Sequence, residues 1–163
     1  MKTQRIFLAF AISAALLGLS ACKPKSAGPA GTEAAYAPFA WVLPSGELTG
    51  FDIDITKALC AQMGAECEII NQSFDGLIPA LNAQKIDAII ASMSITDERL
   101  NAIDFAGPYY NVPALFIAPK DSGLELTADA LSGKYVGVQR GTTMANYVEQ
   151  NFPDARVQIY DTS

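Results

Sequence analysis

The sequence predicts an α/β fold built from strand–helix units, on three observations. Apolar, β-branched runs such as Ile86 with Ala88, Ile89 and Ile90 alternate with apolar stripes at helical spacing. Twice a strand-like run ends in small polar residues at a helix start: Ser92 and Ser94 precede Thr96, and Gly141, Thr142 and Thr143 precede Met144. Half of the 163 residues are hydrophobic, enough for a core. In such folds ligands settle beyond the carboxyl ends of strands.

The chain opens with Lys2 and Arg5, an apolar run from Ile6 to Leu19, and small residues to Ala21, the pattern of a secretory signal over residues 1–21. That run is too short to span a bilayer. Gly18–Leu19–Ser20–Ala21–Cys22 resembles the lipobox of bacterial lipoproteins, which makes Cys22 the expected lipidation site and places the protein in the periplasm or cell envelope. Residues 22–32 are rich in Lys, Pro, Ser, Ala and Gly without periodicity and read as a flexible tether.

After the tether, Pro38 forces Ala37 to be extended among the aromatics Tyr36, Phe39 and Trp41. Pro44–Ser45–Gly46 is a turn, and Leu48–Phe51 is extended. Asp52 is placed to cap a helix carrying Phe51, Ile55, Leu59 and Met63 at helical spacing, ended by Gly64. The run Cys67–Ile70 is a strand start. Pro79 fits only a first turn, so the next helix begins near Asp75 and leaves Phe74 at its mouth, as a pocket wall or a staple. Ile86–Ile90 is a buried strand, and Thr96 caps a helix holding Arg99 that runs on from Leu100 to Ile103 and ends at Gly107–Pro108. Ala114–Ala118 and Lys134–Gln139 read as strands, Met144–Gln150 as a helix, and Gln158–Tyr160 as a short strand.

Without the signal the chain keeps 9 Lys+Arg against 17 Asp+Glu, a net charge of −8. Such a surface repels nucleic acid and anionic headgroups, and weakly favours a cationic ligand. Histidine is absent, so general acid–base work would fall to carboxylates or tyrosines, and none are paired for it. Asp52 and Asp54 stand two apart at a helix start and do not face each other, which argues against a metal pair; neither a metal nor a cofactor is expected. With Cys22 lipidated, Cys60 and Cys67 remain, either bridged or as two buried thiols.

The stretch from Asp87 to Arg99 carries the chemistry. A helix N-terminus offers free N–H groups, Ser92 and Ser94 add hydroxyls, and the Arg99 guanidinium grips a carboxylate through two parallel hydrogen bonds. The alternative is an ordinary connection with a solvated arginine. The Arg140–Thr143 loop repeats the design, so two such sites could face one ligand.

Five separated blocks, Glu33–Phe39, Gly50–Asp54, Phe74–Pro79, Ile86–Arg99 and Val136–Thr143, together resemble bacterial periplasmic solute-binding proteins of family 3, nearest the lysine/arginine/ornithine- and histidine-binding proteins of ABC importers. The resemblance implies a periplasmic binding protein-like type II fold, a two-lobed clamp with mixed β-sheets, with lobe 1 over residues 33–112 and the start of lobe 2 over residues 113–163. It implies that Arg99 holds the ligand α-carboxylate with Ser94 and the backbone at Thr142 and Thr143, and that Ser92 offers its carbonyl to the α-ammonium. Tyr36 and Phe74 would sandwich the side chain, Glu33 would meet its distal cation, and Cys60 would bridge Cys67. The implied ligand is an amino acid, with Arg, Lys, ornithine or His favoured, delivered to an ABC permease in the inner membrane. The same clamp also serves periplasmic dehydratases and receptor sensor modules.

This sequence departs from the pattern in three places. Residues 25–31 lack β character where the first strand belongs, Met144 stands where basic-amino-acid binders often place Gln, and Ala91 where many have Ser. The rest of lobe 2 in the family lies past Ser163, so the sequence reads as an N-terminal fragment with an incomplete second lobe.

Overall fold

The structure, a computed structural model, describes residues 25–26 and 28–163. The signal at residues 1–21 and the lipidation site Cys22 lie outside the described residues.

Within residues 22–32, read as a tether, two runs of the described residues form strands instead. Strand β1 (Lys25–Ser26) is followed by β2 (Ala30–Thr32), and β2 is the middle strand of a three-stranded parallel sheet. It pairs with β7 (Ile69–Asn71) and β8 (Ala88–Ile89), with Gly31 opposite Ile70 and Ile89, while β1 pairs with β6 (Ala65–Glu66). The first strand is present after all. Its first two residues, Ala30 and Gly31, lack β character because smallness is what their place demands: a Cβ on Gly31 would stand 2.5 Å from Ile86 Cδ1 and 3.0 Å from Leu77 Cδ2. Helix α2 (Leu77–Asn82) therefore packs directly on the β2 backbone, and Leu77, Ala80, Ile86 and Ala91 form one buried cluster.

Between β2 and β6 the chain makes an antiparallel meander, β3 (Ala35–Tyr36), β4 (Ala40–Val42) and β5 (Leu48–Thr49), then helix α1 (Phe51–Gln62). Two expectations fail here. The N-cap of α1 is Gly50, at φ +127° and close against the Phe39 carbonyl, and not Asp52. Of the stripe Phe51, Ile55, Leu59 and Met63 only Ile55 is partly buried and the other three are exposed, whereas Asp52, Ile53, Thr56 and Cys60 face inward. The helical period is there, but the sheet lies against the adjoining face, and the Phe51 ring packs against the rings of Phe39, Tyr109 and Tyr110. Gly64 ends α1 at φ +63°, and Cys60 and Cys67 form a disulfide with Cα atoms 6.0 Å apart.

The 3-10 turn Phe74–Gly76 leads into α2 as Pro79 requires. Thr96 caps α3 (Asp97–Leu100), its hydroxyl accepting from the Arg99 N–H; α3 is one turn long and does not run on to Ile103. Ala114–Ala118 is not a strand: no ladder partner meets it among the described residues, and Leu115 and Ile117 are 80% and 96% exposed.

Beyond α4 (Ala128–Leu131), strand β9 (Tyr135–Gln139), helix α5 (Thr143–Asn151) and strand β10 (Arg156–Tyr160) make one β–α–β unit with parallel strands, Val138 opposite Ile159. Its own core holds Leu131, Val138, Ala145, Val148 and Phe152, separate from the clusters beneath the first sheet.

Candidate functional site

The carboxyl ends of β2, β8 and β9 converge on a cavity of about 130 Å³. All eight residues expected to bind a ligand line it: Glu33, Tyr36, Phe74, Ser92, Ser94 and Arg99 from the first part of the chain, and Thr142 and Thr143 from the start of α5.

Arg99 spans the two sides. Its Nη1 donates to the Ser94 carbonyl at 2.8 Å and its Nη2 to the Gly141 carbonyl at 3.0 Å, while the guanidinium lies 5.5 Å above the Phe74 ring centre. Among the described residues no carboxylate stands within ion-pair distance of it. Burial makes its charge costlier, lowering its pKa, though a guanidinium stays protonated. Across the cavity, Thr142 Oγ1 caps α5 by accepting from the Ala145 N–H and donates to the Gln139 carbonyl, fixing the loop that carries Gly141.

Glu33 follows directly from the β2 strand and is 6% exposed. Gln139 Nε2 donates to its Oε1 at 2.6 Å, and Ser163 Oγ donates to Gln139 Oε1 at 2.8 Å. Burial raises the Glu33 pKa, the Gln139 bond opposes the rise, and the negative charge of Asp75 adds to it. Tyr36 is stacked on Phe39, which is stacked in turn on Tyr110, so its ring is braced from behind.

Four residues at or beside the site escaped the sequence reading. Asp52, read as a helix cap, is 1% exposed and lines the cavity; its carboxylate accepts from Ser92 Oγ at 2.7 Å and Tyr109 Oη at 3.0 Å. Burial raises its pKa against the pull of those bonds. Tyr109 has its own pKa raised, by burial first and by the Asp52 charge second. Tyr110 lines the cavity with a buried hydroxyl that has no partner among the described residues. Gln139, the last residue of β9, was findable: a polar residue closing an apolar strand at a strand's carboxyl end marks the ligand side of an α/β sheet.

The site brings a guanidinium, a buried carboxylate and the aromatic rings of Tyr36 and Phe74 to one cavity. Residues 29–158 match the model of the bacterial extracellular solute-binding proteins, family 3. The chain belongs to that family.

Within family 3 the chain is 47% identical over 129 residues to an L-arginine-binding protein of Pseudomonas aeruginosa, an alignment covering 79% of this chain and 50% of that one. It is 40% identical over 159 residues to ABC transporter arginine-binding protein 1 of Escherichia coli, covering 98% of this chain and 63% of that one. The holo structure of ArgBP from T. maritima superposes with a TM-score of 0.76 at 37% identity, over 82% of this chain and 59% of that one. The chain thus spans about half to two thirds of the length of the family 3 relatives it matches. Two of the three departures from the family pattern, Ala91 and Met144, line the cavity. Among the described residues there is no group of acidic or sulfur side chains able to hold a metal, and no helix long and apolar enough to cross a membrane.

Proposed function

We propose that the protein is the substrate-binding component of a polar amino-acid ABC importer, taking a basic L-amino acid in the periplasm and handing it to a membrane permease. Arginine is the favoured ligand, ahead of lysine, ornithine and histidine. One observation carries the reading: Arg99 and Glu33, a cation without a carboxylate partner among the described residues and a buried anion, stand in one cavity beside Tyr36 and Phe74. An amino acid with a cationic side chain presents the complementary charges, its α-carboxylate for Arg99 and its distal cation for Glu33, and the aromatic walls add cation–π attraction of about 0.5 to 2 kcal/mol per ring. The names of the relatives, arginine-binding proteins in both cases, point the same way.

Residues 33–112 and 113–163 form the two sides of a clamp in this reading, and ligand binding closes them. The site binds and does not catalyse. The lipobox-like Gly18–Cys22 supports a signal at residues 1–21 and a lipid anchor on Cys22 as the only tie to the membrane.

The test is a thermal-shift screen of the mature chain, with Cys22→Ser to remove the anchor, against the twenty amino acids, ornithine and citrulline. A ligand that binds only the folded state raises the melting temperature. Arginine is expected to give the largest shift. Citrulline, a neutral near-isostere, matching arginine would overturn the role of Glu33, and the absence of any shift with a basic amino acid would overturn the function.

A further inference from the structure

We infer that Asp52 and Tyr109 are positioning residues that hold Ser92 in a left-handed backbone conformation, and so aim the carbonyl that the family resemblance assigns to the ammonium group of an α-amino acid. This rests on the amino-acid reading above.

Ser92 has φ +52°, a conformation that L side chains rarely adopt. Gln84 and Asp121 share it, but both are exposed on turns, whereas Ser92 is half-buried and lines the cavity. A closed ring of hydrogen bonds holds it there. The Ser92 hydroxyl donates to Asp52 Oδ2, the Tyr109 hydroxyl donates to Asp52 Oδ1, and the same Tyr109 oxygen accepts from the Ser92 N–H at 2.9 Å. Both Ser92 donors are therefore engaged, leaving the carbonyl as its one polar group with no partner among the described residues. A carbonyl accepts and never donates, so it recognises an ammonium and is indifferent to a carboxylate. Both Asp52 oxygens are occupied from the protein side, so Asp52 acts through Ser92 and through its charge. Strain kept in place by surrounding structure at a binding cleft is a mark of function.

The ring makes a prediction that a merely structural network would not. Titration calorimetry on the mature chain compares L-arginine with 5-guanidinopentanoic acid, which is arginine without its α-amino group. Asp52→Asn and Tyr109→Phe are each expected to weaken L-arginine about tenfold or more while leaving the analogue within about threefold, since bonds to a charged group are the strong ones. Tyr109→Phe removes a single hydroxyl and carries the test where Asp52→Asn does not fold. Glycine adopts φ +52° freely, so in a Ser92→Gly background Tyr109→Phe is expected to change L-arginine binding by less than about threefold. Equal weakening of both ligands, or a Tyr109→Phe effect that survives Ser92→Gly, overturns the inference while the arginine reading stands. An unaltered chain that binds no L-arginine overturns both.

Discussion

Gln139 and Glu33, 106 positions apart in the chain, share a hydrogen bond of 2.6 Å. It links the residue after the central strand β2 to the last residue of β9, and so ties together two parts of the chain that have separate cores. Removing the amide leaves a buried carboxylate oxygen unsatisfied. Gln139→Ala is expected to destabilise the fold by about 1 to 2 kcal/mol, within the range for hydrogen bonds to charged groups. Urea unfolding in a double-mutant cycle with Glu33→Ala isolates the pair; additive effects would show that the bond contributes nothing.

The carboxyls of Glu33 and Asp52 both have raised pKa values, chiefly through burial. The folded state therefore favours their protonated forms. Their contribution to stability is fully present below the ordinary values of 4.5 and 3.8 and is lost as pH rises through the raised ones. The difference in melting temperature between Glu33→Gln/Asp52→Asn and the unaltered protein is expected to move in favour of the variant as pH rises above those ordinary values. A gap between the two proteins that stays flat across that rise would contradict the assignment.

Arg99 is held by two backbone carbonyls, and its loss strands no buried carboxylate. Arg99→Ala is expected to leave the fold nearly unchanged but to weaken L-arginine by about 10- to 100-fold, the equivalent of one charged hydrogen-bond pair. Calorimetry showing affinity retained within threefold would remove Arg99 from the site.

Gly31 admits no side chain, because Ile86 and Leu77 occupy the space a Cβ would need. Gly31→Val is expected to cost about 1 to 3 kcal/mol through overpacking, although valine has the higher strand propensity. A thermal melt of the variant at or above the parent temperature would refute the close packing of α2 on β2.

The sequence revealed elements whose own residues declare them. The strand β9, helix α5 and strand β10 follow from apolar alternation and a Thr cap, and Thr96 is legible as the cap of α3. All eight proposed binding residues meet in one cavity because each sits at the exit of a strand or the entrance of a helix, where chain order predicts side-chain placement. What stayed hidden depends on neighbours far along the chain. Of the three residues of β2 only Thr32 has high strand propensity; the place of Ala30 and Gly31 follows from Leu77 and Ile86. Asp52 at a helix start has the local signature of a cap, and only the arrival of Ser92 and Tyr109 turns its carboxylate inward. The stripe on α1 has the right period, but which face meets the sheet is decided by the meander, not by the helix.

The central position of β2 also has a kinetic consequence. The strand at the middle of the first sheet is the earliest of its three strands to be synthesised, yet both of its partners lie well downstream. It has no pairing partner nearby in sequence. The sheet must condense around segments that are already close in sequence, and β2 slots between β7 and β8 only once loop-closure entropy over a long stretch has been overcome. Until then β2 lacks both partners, so the Glu33 part of the cavity is expected to form after the local Thr96 cap beside Arg99.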